Sequence, residues 1–303
     1  MKMGIIGLGR MGMAIAQRLV HAGHSVVGFD TNSSVRSAAA AHGIQVVNTI
    51  SLINRDARII WLMIPAGLPV DSVLEQITAG SRPGDIIVDG GNSNFHDSIR
   101  RSERLSHLDI SFLDCGTSGG VHGVQNGFCL MIGGDKKSYE FLEPIWKAIA
   151  ASGGYAHIGP SGAGHYVKMV HNGIEYALMQ AYAEGFHLLH ESKFGKGTLD
   201  VEQIAQLWNH GAVIRSFLLQ LIAQIFAQDQ DLDDIGGQVA ESGMGKWTVQ
   251  EAHLRNISVS LIELALKTRE WSRETGGNYA TKIVALLRQQ FGGHAITKLK
   301  DEV

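Results

Sequence analysis

The first 160 residues alternate short apolar runs with amphipathic segments, a pattern typical of parallel strands joined by helices. The apolar runs predict strands at 3–6, 25–29, 44–47, 58–64, 86–88 and 111–113. The segments between and after them predict one helix from the end of the 7–12 turn to about Ala22, and others at 35–42, 70–77, 94–106 and 138–151. This half of the chain is therefore predicted to form a doubly wound α/β domain.

Beyond Gly162 the strand pattern disappears, and long stretches with helical periodicity take its place. They predict helices at 164–192, 200–210, 214–228, 232–240, 247–271 and 281–290. The second half is therefore predicted to be all-helical.

A glycine-rich turn follows the first strand, with the sequence Gly7, Leu8, Gly9, Arg10, Met11, Gly12. Its glycines would let a pyrophosphate approach the following helix, while Asp30, after the second strand, would bind ribose hydroxyls. The alternative is a glycine turn without a ligand. The motif predicts a Rossmann-like dinucleotide-binding domain over 1–160, followed by an all-helical substrate and dimerisation domain over 161–303.

The charge at Asp30 bears on which dinucleotide binds. A carboxylate there would repel a 2′-phosphate, so the sequence favours NAD. Arg36 is close enough in sequence to leave NADP as the alternative.

Four polar residues on the 164–192 helix recur at i, i+3, i+4 and i+7, and so share one face: Lys168, His171, Asn172 and Glu175. Their apolar neighbours predict a helix that is buried nearly all round, namely Val167, Met169, Val170, Ile174, Ala177, Leu178 and Ala181. A polar stripe on an interior helix needs partners, which favours a cavity for a polar ligand. The alternative is a solvated stripe closed by a contact between Lys168 and Glu175.

Two loops rich in glycine and small polar residues follow strands, at 89–93 and 114–120. Ligands of doubly wound sheets bind at the carboxyl ends of strands. Both loops could wrap a polyhydroxylated anion with backbone N–H groups, or could be ordinary turns.

Composition narrows the class of protein. The chain has 303 residues, 45% of them hydrophobic and 18% charged, with a net charge of −3, which indicates a globular protein with no nucleic-acid or membrane partner. Two cysteines, Cys115 and Cys129, favour a reducing cytoplasm, and the N-terminus enters a strand at once with no signal peptide. His187, His190 and Glu191 lack a further convergent ligand, so no metal site is predicted.

Several segments together resemble decarboxylating 6-phosphogluconate dehydrogenase in its short bacterial form. They are the 7–12 turn, Asp-Gly-Gly-Asn-Ser at 89–93, 113–123, 164–176, Gly-Lys-Trp-Thr at 245–248, and Arg-Gln-Gln-Phe-Gly-Gly-His at 288–294. The resemblance implies oxidative decarboxylation of 6-phosphogluconate to ribulose 5-phosphate and carbon dioxide with NAD or NADP. It also implies a place in gluconate use and the pentose phosphate pathway, and a cytoplasmic homodimer or dimer of dimers.

The resemblance also implies roles for single residues. Lys168 would be the base for the C3 hydroxyl, and Glu175 the acid that protonates C1 of the enediol. Substrate or nicotinamide contacts would come from Asn92, Ser118, Gly119, Gly120, His171 and Asn172. The phosphate would meet Tyr176, Arg269 and Arg288, with His294 closing the pocket.

Two points depart from the longer family members or stay open. Ser242 stands where those enzymes carry a phosphate-binding lysine. In them the arginine and histidine that match Arg288 and His294 come from the partner subunit. The resemblance implies the same here, and a tail that folds back onto its own chain is the alternative.

The residues themselves agree with this chemistry. Oxidation of an alcohol needs a base, a lysine serves only when neutral, and burial disfavours the charged amine. Two other functions were weighed. One is a related dehydrogenase that oxidises a small 3-hydroxy acid without decarboxylation, and the other is a non-catalytic dinucleotide sensor, which retention of Lys168 and Glu175 argues against.

Overall fold

The computed structural model describes residues 1–299, which divide into one compact unit, Met1–Met169, and a second that begins at Val170. One long helix, Ala163–His190, crosses this boundary. Positions 300–303 of the predicted 161–303 domain lie outside the described residues.

The first unit is built on an eight-stranded sheet in the order β3-β2-β1-β4-β5-β6-β7-β8. Its strands are β1 Lys2–Ile6, β2 Ser25–Phe29, β3 Gln45–Val46, β4 Ile59–Leu62, β5 Ile86–Asp89, β6 Ser111–Ser118, β7 Phe128–Gly134 and β8 Ala150–Gly159. Neighbouring strands run parallel except β6 and β7, which pair antiparallel. The order of β1 to β6 is that of dinucleotide-binding domains, which confirms the predicted fold class.

Helices cover both faces of this sheet. They are α1 Arg10–His21, α2 Ser33–Ala40, α3 Ile50–Asp56, α4 Leu68–Thr78, α5 Phe95–Ser106, α6 Gly123–Asn126, α7 Lys136–Phe141 and α8 Glu143–Ile149. The single helix predicted at 138–151 is wrong, because Pro144 in the first turn of α8 separates it from α7. Strands β7 and β8 were not predicted, since their glycines hide the alternation of apolar residues.

Alternate residues of the central strands enter two separate cores. On β4, Trp61 packs into one cluster, with Met3 and Trp146, while Leu62 packs into the cluster on the other face, with Leu74. Strands buried on both faces read as continuous apolar runs, which is why the sequence identified them.

The second unit is helical. Beyond α9, Ala163–His190, it contains α10 Val201–Trp208, α11 Phe217–Phe226, α12 Met244–Leu254, α13 Ser260–Thr275 and α14 Tyr279–Gly292. Its core includes Met179, Phe186, Ile222, Phe226 and Ile283. Among the described residues, no helix is both long and apolar enough to cross a bilayer.

Two helix predictions in this unit are wrong. Residues 232–240 form no helix, because the Gly236 N–H donates instead to the Thr297 carbonyl oxygen at 2.8 Å, beside a bridge between Ile235 and Lys298. The helix predicted at 247–271 is two helices, separated where Asn256 adopts a φ of 57°.

Candidate active site

The glycine turn after β1 leads directly into α1, whose N-cap is Gly9. A side chain on Gly7 would overlap the Met63 carbonyl, and one on Gly12 would overlap the Gly7 carbonyl, whereas Gly9 faces open space. In the described part of the chain, no side chain caps this helix and no acidic residue lies in its first turn. These features suit a helix N-terminus that receives a pyrophosphate.

Asp30 follows β2 and holds this turn in place. Its Oδ2 accepts a hydrogen bond from the Leu8 N–H at 2.8 Å, and its Oδ1 accepts one from the Asn32 N–H at 2.8 Å. Arg36 donates to the carbonyl oxygens of Asp30 and Thr31, at 2.6 and 3.2 Å. The negative charge at Asp30 therefore stands at the end of β2, beside the turn, where the sequence placed it.

The loop after β5 is organised by Asp89, which is fully buried. Its carboxylate accepts from the Gly91 N–H at 3.1 Å and the Ser93 hydroxyl at 2.7 Å, and it lies 3.6 Å from Arg101 Nη1. Between these two anchors Asn92 is exposed. The loop thus presents one amide side chain on a backbone held from beneath.

Strand β6 runs further than predicted. The sequence placed a loop at 114–120, but pairing with β7 extends the strand to Ser118, which lies opposite Cys129. Only then does the chain turn, through Gly119 and Gly120 with φ of 129° and 54°. The glycine inside the strand leaves room for the neighbouring helix, because a Cβ on Gly116 would overlap Lys168 Cβ.

The polar stripe lies on α9 as predicted. Lys168 and Asn172 are buried, with 6% and 9% of their surface exposed. His171 Nδ1 is 3.0 Å from Asn172 Oδ1 and 3.8 Å from Glu175 Oε2. The stripe is neither fully solvated nor fully sealed, which suits groups that meet a ligand.

The expected burial of α9 on nearly all sides is wrong. Ile174 and Leu178 are 51% and 48% exposed. Ala181 continues the same stripe and is also exposed. These residues lie a turn apart on one face of α9, which is about half exposed in the described chain.

Two buried arginines lie in the second unit. Arg269 on α13 is 2% exposed, and its guanidinium carbon stacks 3.3 Å from the ring centroid of Tyr176. Neither Nη atom of Arg269 has a hydrogen-bond partner among the described residues. Burial lowers the pKa of Arg269 to about 10, with Tyr176 opposing the shift and Arg288 adding to it. A buried guanidinium with unused donors is a strong candidate for binding an anion.

Arg288 belongs to the same group of residues. It lies on α14 and is buried. Burial lowers its pKa, while the nearby Tyr176 and Glu175 oppose that shift. The structure places Arg288 near Tyr176 and Glu175 of its own chain, and the subunit whose site it serves stays a prediction. His294 follows the end of α14, and its N–H donates to the Arg288 carbonyl oxygen at 3.4 Å.

Ser242 also belongs to this group of residues around Tyr176. Its Oγ is 3.4 Å from the Tyr176 hydroxyl, and a Cβ on the neighbouring Gly245 would meet the Tyr176 ring at 2.5 Å. The close packing of Gly245 explains the glycine before Lys-Trp-Thr. Ser242 supplies a hydroxyl but no positive charge, so the two arginines carry the positive charge of this group.

Sequence reasoning missed three buried residues beneath the site: Asp89, Arg101 and Asp114. Arg101 is 1% exposed and bonds Asp71 through Nε and Nη2 at 2.9 and 3.1 Å. For Arg101, the available signal was a charged residue on the apolar face of an amphipathic helix.

His190, weighed as a metal ligand, lies between Glu191 and Asp231 at 3.0 and 3.2 Å. Residues 1–299 hold no group of three or more metal-ligating side chains.

Comparisons with known proteins agree with this geometry. The model of the NAD-binding domain of 6-phosphogluconate dehydrogenase matches residues 2–159, and that of the 6-phosphogluconate dehydrogenase C-terminal domain matches 164–300. An NAD-dependent decarboxylating 6-phosphogluconate dehydrogenase from Haloferax volcanii is 45% identical over 99% of this chain and all of its own. A putative 6-phosphogluconate dehydrogenase from Bacillus subtilis is 42% identical over 98% of this chain.

Solved structures add the fold. A Plasmodium falciparum 6-phosphogluconate dehydrogenase has a TM-score of 0.82 at 29% identity, covering 90% of this chain and 62% of its own. A Mycobacterium tuberculosis 3-hydroxyisobutyrate dehydrogenase has a TM-score of 0.72 at 23% identity and covers 95% of this chain and 98% of its own. The latter likeness shows the fold alone.

The dinucleotide turn, the sheet order and the lysine-bearing helix define an NAD(P)-dependent dehydrogenase with a separate helical domain. Both halves match models of one family, and full-length relatives belong to it. The chain belongs to the 6-phosphogluconate dehydrogenase family. This confirms the predicted family, fold class, enzyme class and NAD as cofactor.

Proposed function

We propose that this enzyme oxidises and decarboxylates 6-phosphogluconate, forming ribulose 5-phosphate and carbon dioxide. The observation that carries the proposal is Arg269, a guanidinium that is 2% exposed, stacked on Tyr176, with no partner for either Nη among the described residues. With Arg288 beside it, this group suits a dianionic phosphate. A small 3-hydroxy acid has no phosphate to place there.

Lys168 and Glu175 divide the acid–base work. Neutral Lys168 takes the proton of the C3 hydroxyl, and the bound NAD would supply the acceptor for the C3 hydride. The protonated Lys168 then donates a hydrogen bond to the C3 ketone oxygen, which stabilises the enediolate left when carbon dioxide departs. The Glu175 carboxylic acid gives its proton to the carbon that carried the lost carboxylate, which is C1 of the product, and the enediolate becomes the ketone.

The remaining predicted residues bind and orient. Leu8, Arg10 and Met11 with the three glycines of the turn hold the dinucleotide, and Asp30 its ribose. Asn92, Ser118, Gly119 and Gly120 contact the substrate or the nicotinamide, as do His171 and Asn172. Tyr176 and His294 complete the phosphate end. The place of the reaction is the pentose phosphate pathway, and the cytoplasmic location stays a prediction.

We also propose a homodimer formed through the helical unit. Ile174 and Leu178 form an exposed apolar stripe on α9, and Leu261 and Leu264 form another on α13, with 75% and 57% of their surfaces exposed. Exposed apolar stripes of this kind are typical of subunit interfaces. Sedimentation of Leu178→Glu against native protein tests this, and an unchanged mass at all concentrations contradicts it.

The proposed reaction is tested by absorbance at 340 nm with 6-phosphogluconate and each nicotinamide cofactor, while carbon dioxide is trapped. We expect one carbon dioxide per reduced cofactor. The same assay with 3-hydroxyisobutyrate measures the alternative activity. Faster oxidation of that substrate, without carbon dioxide from 6-phosphogluconate, would overturn the proposal.

A further inference from the structure

Helix α9 begins at Ala163, directly after Gly162, which has no side chain to cap it. The first N–H groups of a helix have no partner within the helix and need one when buried. Here the partner comes from β6. Asp114 Oδ1 accepts from the Gly162 N–H at 2.7 Å, and Oδ2 accepts from the His165 N–H at 2.8 Å.

Asp114 is fully buried, as is Asp89, its partner in the register of β5 and β6. A buried carboxylate is costly unless it is hydrogen-bonded and faces positive charge. The two N–H groups supply the hydrogen bonds, and the N-terminus of the 28-residue helix α9 supplies the positive charge. The Asp114 carboxylate therefore fixes the position at which α9 starts.

The first turn of α9 has little room to shift. A Cβ on Gly133 would meet Asp114 Oδ1 at 2.6 Å and the Gly164 nitrogen at 2.7 Å, and one on Gly116 would overlap Lys168 Cβ. His165 adds a lateral contact, since its Nδ1 is 2.7 Å from the Ser98 hydroxyl on α5. Asp114 therefore holds the helix along its axis, and the close packing at Gly133 and Gly116, with the His165 contact, holds it laterally.

We infer that Asp114 is a positioning residue for catalysis: through its bonds to Gly162 and His165 it sets the position of Lys168, one turn further along α9. This rests on the proposed function, in which Lys168 is the base. A reacting group displaced by about 1 Å costs on the order of 10²-fold in rate. Asp114 itself contacts neither substrate nor cofactor in this role.

The test compares Asp114→Asn with Asp135→Asn. Asn keeps the shape of Asp but replaces one acceptor by a donor and removes the charge. Asp135 is a matched control, because it caps α7 through the Ser138 N–H at 2.8 Å. We expect Asp114→Asn to lower kcat for 6-phosphogluconate about 10²-fold with an unchanged Kd for NAD, and Asp135→Asn to leave both unchanged. Gly116→Ala, which presses on Lys168 and on the Gly164 carbonyl oxygen while leaving the Asp114 carboxylate in place, should give the same loss of kcat if Asp114→Asn fails to fold.

Amide hydrogen exchange gives a readout independent of activity. Protection of the first turn of α9 should fall in Asp114→Asn while the rest of the helix stays protected. Unchanged protection there, or kcat unchanged in both Asp114→Asn and Gly116→Ala, overturns the inference. If native protein does not turn over 6-phosphogluconate, the proposed function fails, and exchange alone decides whether Asp114 anchors the helix.

Discussion

Lys168 and Glu175 occupy different environments on one helix. Lys168 is 6% exposed, whereas 22% of the Glu175 side chain is exposed, with His171 nearby. An oxidation followed by a protonation requires a base and an acid, and these two side chains share the face of α9 that we propose meets the substrate.

We predict that Lys168→Ala and Glu175→Ala each lower kcat by about 10²-fold or more, because general acid–base catalysis contributes about that much. Glu184→Ala, an exposed glutamate on the same helix, is the control. Steady-state rates and circular dichroism measure activity and folding. Near-normal turnover in a folded variant removes that residue from the mechanism.

A second prediction concerns Arg269. Arg269→Met should raise KM for 6-phosphogluconate about 10²-fold and leave KM for NAD nearly unchanged, because the bidentate donor to phosphate is lost. Arg273→Met, one turn along α13, is the control, since Arg273 donates to the Val239 carbonyl instead. Because burial lowers the pKa of Arg269 to about 10, we also expect substrate binding to weaken above that pH. An unchanged substrate KM would place the phosphate elsewhere.

A third prediction concerns the choice of dinucleotide. The Asp30 carboxylate should give NAD a higher kcat/KM than NADP, by about tenfold or more, because a charge repels a 2′-phosphate at close range. Asp30→Ser should narrow that ratio. If native enzyme prefers NADP, Arg36 or Asn32 contacts the phosphate instead.

At the scale of elements, helix α5 is tied to α4 by charge. Arg101, buried on α5, bonds Asp71 on α4, and exposed Arg100 bonds the same carboxylate at 3.1 Å. The hydrogen bond from Arg101, with a further one from Arg100, lowers the pKa of Asp71. Since Arg101 also neighbours Asp89, this pairing fixes the helix that follows the Asn92 loop.

We predict that Asp71→Asn destabilises the protein by about 2 kcal/mol at pH 7. A carboxyl whose folded pKa is lowered stabilises the fold above its unfolded value of about 3.9, and this stabilisation is lost as pH falls through the folded pKa. Urea unfolding at several pH values should therefore show a constant difference from native protein above about pH 5, which shrinks below about pH 4. A difference that is independent of pH would contradict the assignment.

The same scale shows which elements sequence could predict. The buried strands β1, β4 and β5 and the long α9 follow from local periodicity. Strand β7 did not, because the glycines at its end hide the alternation of apolar residues. The 232–240 helix failed because Gly236 bonds the tail at Thr297, a partner that no local pattern reveals.

At the scale of the whole molecule, the main question is which subunit supplies Arg288 to each site. Arg288 lies near Glu175 and Tyr176 of the same chain, and on that ground we propose the alternative in which each subunit supplies its own Arg288. The predicted dimer would then have no Arg288 exchanged between subunits.

We predict that mixing Glu175→Ala with Arg288→Ala under proven subunit exchange restores no activity. Each hybrid subunit would still lack one of the two groups. Native mass spectrometry of differently tagged variants verifies the exchange. Recovered activity would show that Arg288 acts on the partner's site, as in the longer relatives.

The sequence by itself determined the parallel sheet, the glycine turn with Asp30, and the spacing of Lys168, His171, Asn172 and Glu175 on one helix. These features depend on periodicity and on short-range geometry, which local sequence encodes. Only the tertiary structure decided that Asp114 caps α9, that Asp89 and Arg101 support the Asn92 loop, that Ile174 and Leu178 lie exposed, and that Arg288 lies near Tyr176 and Glu175. Each depends on a partner twelve or more residues away, or on the lack of one in the described chain. The physical reason is that the packed fold decides which residues are buried and which charges pair.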